Sequence, residues 1–360
     1  MNNKPGKLKI SFCTVCMNRL HHLVETLPKN IEDNQDYGNV EFVVVDYNSQ
    51  DGMEEWIREN MFPYIESGLV LYIKAPDMPF FHMSHSKNVA AKCATGDVIC
   101  NVDADNFIGK GFATYLNDVF STEANVVLAP DRMQSGRDLM GRICLRKEDY
   151  LKIGGYNEEM LHYSYEDDFF LTKAKKLGLQ LKYIRNDVFL GAIAHSNYDR
   201  LKFSAIFTRL EHLYFRHVSS SESQIMMLYK DKKFERGTIT LHLVPYEKFS
   251  FPVVYDFSER AKLRSDTWQK GSWSVSGNEL ALSDAENNYQ YRLENNGLQI
   301  SSKEETATFS KVSDQNFLLT LVYTWSTAIN LSIMHQDADT VTEFGKATVY
   351  KNFSSEPYTL

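Results

Sequence analysis

No run of eighteen or more apolar residues occurs in this chain, and its first nine residues, Met1 to Lys9, are polar. The sequence therefore predicts neither a membrane-spanning helix nor a secretory leader. A basic balance is missing as well: 39 Lys and Arg stand against 47 Asp and Glu, a net charge of −8. That excess argues against a nucleic-acid partner and leaves no polybasic surface for anionic lipid. Cysteine is scarce, with Cys13, Cys16, Cys93, Cys100 and Cys144 all in the first 150 residues. Cys13 and Cys16 form a lone C-x-x-C, with no second pair or His spacing to close a zinc site, so buried free thiols are expected. Reduced thiols and the polar start give a cytoplasmic expectation, extended to a peripheral place at the inner membrane surface through partners.

What is present is an alternation. Leu8–Val15, Val40–Asp46 and Leu69–Lys74 are apolar and strand-like, and helical patterns from Leu20 to Ile31 and from Met53 to Met61 lie between them. This order predicts βαβ units and a mixed, mainly parallel sheet flanked by helices. Ligands bind outside the carboxyl ends of such strands, and three polar clusters fall there: Asn18-Arg19, Asp46-Tyr47-Asn48-Ser49 and Asp103-Ala104-Asp105. The last follows the apolar run Val98–Val102. Alternate side chains of a strand share a face, so Asp103 and Asp105 suit one hard divalent cation and a diphosphate. The same residue types also end strands in ordinary turns, which is the plainer account of Asp46 as well.

Two helix starts carry further polar groups. Ser86, Lys87 and Asn88 open a small-residue helix that Gly96 closes, where free N–H groups favour an anion and where Ser84 or Ser86 would also serve as the cap. Tyr163-Ser164-Tyr165-Glu166-Asp167-Asp168 begins a helix running to Gly178, with Lys173, Lys175 and Lys176 in its last turn. Acids first and lysines last are what the helix dipole prefers. Aromatic neighbours would also desolvate these carboxylates and raise a pKa into the range of a general base.

On the residues Asn18-Arg19, Asp46, Ser86–Asp97, Asp103-Ala104-Asp105, Gly154-Gly155-Tyr156-Asn157-Glu158, Glu166-Asp167-Asp168 and Ala194-His195, the chain resembles a family A glycosyltransferase, inverting and of the GT-A fold. It is similar to the branch that includes the β-1,4-galactosyltransferases and the bacterial chondroitin-type polymerases, over about residues 7 to 200. The resemblance implies a hexosyltransferase moving a sugar from a UDP-sugar to a saccharide acceptor, in cell-surface polysaccharide or glycan synthesis. It implies Asn18, Arg19, Asp46, Lys87, Asp103 and Asp105 around the nucleotide sugar. Asp167 would be the catalytic base, and Tyr156, Tyr165, Glu166 and Asp168 acceptor contacts. Asp105 and His195, 28 residues after Asp167, would hold the metal. An imidazole ligand favours Mn²⁺, with Mg²⁺ the other choice. Tyr163, Ser164 and Tyr165 stand where the group carries Trp and Gly, and Ala192 where it can carry a metal-binding Met. A non-catalytic carbohydrate-binding or scaffold protein is the alternative. A nucleotidyltransferase would need a basic cluster to clamp a triphosphate, and none is evident.

The 360 residues predict two domains: a GT-A domain over 1–244 that ends in a helical segment at about 200–235, and a C-terminal antiparallel β-sandwich over 245–360. The helical expectation rests on Phe203, Ile206, Leu210, Leu213 and Tyr214; the sandwich rests on alternation such as Phe317–Tyr323 and on Gly/Asn turns. Trp268, Trp273 and Trp325 would fill its core or stack on sugars, and the domain could also pair copies of the chain as a homo-oligomer.

Overall fold

The computed structural model describes residues 6–131, 133, 135–184, 187–219, 222–240, 243–244, 253–254, 262–264, 267–301, 306–334 and 343–360. They form two compact units: Met1–Glu159 with Glu166–His195 and Asp339–Leu360, and Met160–Tyr165 with Ser196–Ala338.

The first unit is an α/β layer structure. Strands β1 (Ile10–Cys16) and β2 (Val40–Asp46) are buried along their whole length, as a near-continuous Val, Ile and Phe run requires when helices cover both faces. With β3 (Val70–Lys74) and β4 (Val98–Asn101) they pair in parallel, Cys16 opposite Asp46 and Asp46 opposite Lys74, so their carboxyl ends are level. After the short β5 (Asn106–Phe107), the sheet continues through β6 (Val126–Ala129), β7 (Cys144–Arg146) and β8 (Gln180–Tyr183), with β7 antiparallel to both neighbours. β9 (Gly191–Ala192) pairs with β5 in a separate ribbon. Helices α1 (Leu20–Asn34), α2 (Met53–Asn60), α3 (Phe62–Glu66), α4 (Met83–Cys93), α5 (Phe112–Thr122), α6 (Lys147–Ile153) and α7 (Glu166–Lys176) surround it. α1 buries Leu23, Leu27 and Ile31, an i, i+4, i+8 stripe, in the core with Phe12, Phe42 and Phe112.

Three local expectations change. α4 is capped by His82, not by Ser84 or Ser86, and ends at Cys93. Gly96 lies beyond it, where an added Cβ would stand 2.4 Å from Ser11 Oγ, so close approach to β1 explains the glycine. The edge of the sheet beyond β3 is built by Thr348–Lys351, antiparallel to β3, and Pro357–Thr359.

The second unit holds the antiparallel part. β10 (Leu210–His217), β11 (Glu222–Tyr229), β12 (Lys233–Thr240), β13 (Gln269–Ser276), β14 (Glu279–Ser283), β15 (Asn288–Glu294), β16 (Gly297–Ser301) and β17 (Thr306–Lys311) pair in sequence order, and β17 pairs back with β10. The antiparallel sheet is thus closed on itself, which removes its edges. Tyr214, Met226, Leu228, Trp273 and Phe309 belong to one core cluster; their alternates Leu213, Phe215, Ile225 and Met227 belong to another with α10 (Gln315–Met334).

Leu210–His217, Glu222–Tyr229 and Lys233–Thr240 are therefore strands, and between His195 and Leu210 the helical segments are α8 (Asn197–Leu201) and α9 (Ala205–Arg209). Both faces of these strands are buried, so apolar residues at Leu210, Leu213 and Tyr214 mimic a helical stripe. The converse error is Phe317–Tyr323, which lies in α10: Leu321, Val322, Trp325, Ala328 and Ile329 are its buried face, at helical spacing. α10 is long and apolar enough to cross a membrane by length and composition, with mean hydropathy 1.4, and that face fills the unit's core. The boundary expected at Pro245 lies outside the described residues; the second unit comprises Met160–Tyr165 and Ser196–Ala338. Trp273 and Trp325 are core residues, with indole N–H groups donating to Tyr229 O at 2.9 Å and Glu235 Oε2 at 3.1 Å, while Trp268 packs partly buried beside α10.

Candidate active site

Level strand ends bring the expected clusters to one edge of the first unit. Asn18 and Asn48 adopt left-handed backbone there (φ 55° and 63°), and Gln50 N–H donates to Asn18 Oδ1 at 2.6 Å. Asp46 is 1 % exposed and accepts from Ser49 N–H at 2.7 Å and Tyr72 O–H at 2.8 Å. Both its oxygens are held by the protein, and burial raises its pKa.

The Asp-x-Asp follows β4. Asp105 is buried, with Oδ1 accepting from Asn106 Nδ2 at 2.9 Å and Oδ2 2.8 Å from His195 Nε2 and 3.9 Å from Arg19 Nη1. The β5–β9 ribbon makes this meeting possible: Asn106 pairs with Ala192, and Ile193 N–H donates to Asp105 O. Asp138 Oδ1 lies 3.8 Å from His195 Nδ1. Behind the carboxylates Arg142 is fully buried and donates through Nη2 to Asn106 Oδ1 at 2.8 Å. Asp103 is pushed up to about 6 by burial and by Asp105 and Asp167, against the pull of Lys87. A Cβ on Gly141 would stand 2.6 Å from Asp103 Oδ2, so the chain passes this carboxylate without a side chain.

Lys87, in the first turns of α4, is 2 % exposed. Its Nζ donates to Asp167 Oδ1 at 2.7 Å, lies 3.7 Å from Glu166 Oε1 and sits 4.9 Å over the Tyr156 ring. Burial opposes its charge, but Asp167, Glu166 and Asp103 outweigh burial and raise its pKa. Asp167 Oδ1 also accepts from Tyr156 O–H at 2.9 Å. Glu166 is buried and pushed up to about 7, by burial first and by Asp167 next, with Lys87 opposing. Asp168 and Tyr165 are half-buried on either side. Tyr156 is placed differently from the expectation: it is 1 % exposed, stacks on Phe170 with ring centroids 4.3 Å apart, and shares its hydroxyl between Asn101 and Asp167, so it supports the acidic cluster from beneath and presents no face to an acceptor.

Asn106, Asp138, Gly141 and Arg142 were missed by the sequence reading. Asn106 adjoins the Asp-x-Asp and was within reach; a lone Arg between Gly141 and Ile143 carries no local signal. Among the described residues no three His, Cys, Asp or Glu side chains converge as a complete metal-holding group. Asp105 Oδ2 and His195 Nε2, 2.8 Å apart, nonetheless fit as adjacent ligands, because ligand atoms about 2.1 Å from an octahedral cation stand roughly 3 Å from each other.

Residues 11–142 match the Glycosyl transferase family 2 model. No curated protein matches the chain by sequence. Among solved structures it is similar to S. aureus TarS (19 % identity, 50 % of this chain and 58 % of that one, TM-score 0.42). It is similar also to the mannosyltransferase PcManGT of Pyrobaculum calidifontis, in complex with GDP-Man and Mn²⁺ (19 %, 55 % and 61 %, TM-score 0.45). A third is the catalytic domain of Drosophila β1,4-galactosyltransferase 7, in complex with xylobiose (16 %, 55 % and 75 %, TM-score 0.39). The chain spans about three fifths of the length of the first two. With the Asp-x-Asp at the level carboxyl ends of a mainly parallel sheet, residues 11–142 are similar to a glycosyltransferase domain of family 2, in a GT-A-like layout.

Proposed function

We propose that the protein is a metal-dependent inverting glycosyltransferase that moves a sugar from a UDP-sugar to a saccharide acceptor in cell-surface polysaccharide or glycan synthesis. One observation supports this above others: carboxylates of both acidic motifs, Asp103 from one and Glu166 with Asp167 from the other, act on one buried lysine. Asn18, Arg19 and Asp46 line the nucleotide end, and Lys87 and Asp103 the diphosphate and ribose. Asp105 and His195 would hold the cation, Mn²⁺ before Mg²⁺, and it would supply charge neutralisation for the leaving diphosphate.

Asp167 is the base. It takes the proton from the acceptor hydroxyl as that oxygen attacks the anomeric carbon and the bond to the diphosphate breaks, inverting the centre. Lys87 and Tyr156 orient its carboxylate from one side, leaving Oδ2 for the hydroxyl. Tyr165 and Asp168 bind the acceptor. Glu166 as base is the second reading, favoured by a pKa of about 7, near the optimum for proton transfer at neutral pH. The five free, buried cysteines support a reducing compartment, and with it the reading of an enzyme of the cytoplasm, peripheral at the inner membrane face through partners.

Turnover of a panel of UDP-sugars with Mn²⁺, read as donor hydrolysis, tests the function without a known acceptor. UDP released from one donor supports it. UDP affinity that is equal with Mn²⁺ and with EDTA overturns the metal assignment, and binding without turnover of any donor leaves a carbohydrate-binding module.

A further inference from the structure

The turn that precedes the acidic cluster holds two non-glycine residues in left-handed backbone, Ser164 at φ 98° and Tyr165 at φ 66°. Such conformations persist only where the surroundings over-determine them. The surroundings here are α10. Asn330 lies in that helix and is fully buried, a position where an amide is costly unless its polar atoms are used. Its Nδ2 donates to His162 O at 2.7 Å and to Ser164 O at 2.5 Å, so both amide hydrogens bind carbonyls of one turn. Tyr163, between those carbonyls, packs against Tyr323 one face along the same helix, with centroids 6.2 Å apart. His162 is itself buried and held neutral by that burial.

We infer that Asn330 is a positioning residue: it clamps the strained turn at Ser164 and Tyr165, and so sets where the next residues, Glu166 to Asp168, begin α7. The inference rests on the catalytic reading of that cluster. It makes a side chain 166 positions away in sequence a determinant of turnover. It also explains how serine is tolerated at φ 98°: the carbonyl of that residue is tied down from outside the turn.

The full chain tests it with Asn330→Ala, Ser164→Gly and the double variant, and with Asn330→Asp as a same-size substitution that lacks the N–H donors. Hydrogen exchange at residues 162–168 reads the clamp without reference to activity. Both Asn330 variants are expected to speed exchange there by about tenfold or more, since local opening is freed from the clamp. Donor hydrolysis with UDP-sugar and Mn²⁺ should fall by about 10- to 100-fold in kcat while UDP affinity stays within about twofold, because the acidic turn is displaced and the nucleotide edge is not. Ser164→Gly removes the strain at that position, so in the Asn330→Ala background it should restore most of the lost kcat. Unchanged exchange at 162–168 in both Asn330 variants overturns the clamp. So does loss of activity that Ser164→Gly fails to restore while UDP affinity falls in parallel, the pattern of general unfolding. Faster exchange with unchanged kcat supports the clamp and overturns the catalytic reading of the acidic cluster.

Discussion

The two carboxylate clusters of the site are built alike, and they differ in the basic side chain each one meets. In the first, Asp105 is paired with His195 and its neighbour Asp103 is pushed up to about 6; in the second, Asp167 is paired with Lys87 and its neighbour Glu166 is pushed up to about 7. Burial does the raising in both. The partner decides the chemistry. An imidazole can release its proton and become a ligand, whereas the Lys87 ammonium, its pKa raised by three carboxylates, stays charged and donates to Asp167 Oδ1. On the function proposed above, one cluster binds the cation and the other accepts the proton.

The comparison breaks first at Asp167. Asp167→Asn keeps size and hydrogen bonding, so turnover should drop by about 10²- to 10⁴-fold with UDP and Mn²⁺ affinity near wild type. If Glu166→Gln abolishes turnover and Asp167→Asn does not, the base is one residue earlier and Lys87 merely balances charge.

His195→Ala tests the other cluster. Mn²⁺ affinity in the presence of UDP, read by calorimetry, should weaken by at least the roughly 10- to 100-fold typical of a disturbed metal shell. An unchanged Mn²⁺ requirement would make the Asp105–His195 contact structural. Asn106→Ala, which removes the amide that fixes Asp105 Oδ1 and receives Arg142, should cost about tenfold in the same measurement with less effect on the fold than losing Arg142.

The smallest effect is on stability against pH. Glu166 is protonated in both states below about 4.5 and ionised in both above about 7. Between these values the folded state holds a proton that the unfolded chain has released, so this carboxyl lowers stability as pH rises through the window. Glu166→Gln should flatten that part of the profile, seen as a smaller fall in thermal midpoint between pH 4.5 and 7.5 than in wild type. Equal falls in both proteins would show that burial does not raise Glu166.

The first unit was far more legible in the sequence than the second. Its strands carry unbroken apolar runs ended by Asn18, Asp46 and Asp103, and parallel pairing then puts those ends on one edge. The second unit misleads because its strands are buried on both faces, at Leu213 against α10 and at Tyr214 inside the ring, so no polar alternation marks them. The strand Thr348–Lys351 was hidden for another reason. Its partner β3 is more than 270 positions earlier, and nothing in a short window announces so distant a pairing. A cut at residue 244 therefore removes two strands from the first unit's sheet as well as α10 and its Asn330.

By itself the sequence determined which residues could do chemistry and which ends of which strands would offer them, because strand ends, helix starts and Asp-x-Asp spacing are local and obey short periods. Tertiary structure alone decided the pairings: Lys87 with Asp167 across 80 residues, Asp105 with His195, Asn330 with the turn before Glu166, and Tyr156 beneath the acidic cluster. Those contacts set charge, pKa and orientation. Each depends on burial and on atoms meeting within about 3 Å, which a one-dimensional pattern does not encode.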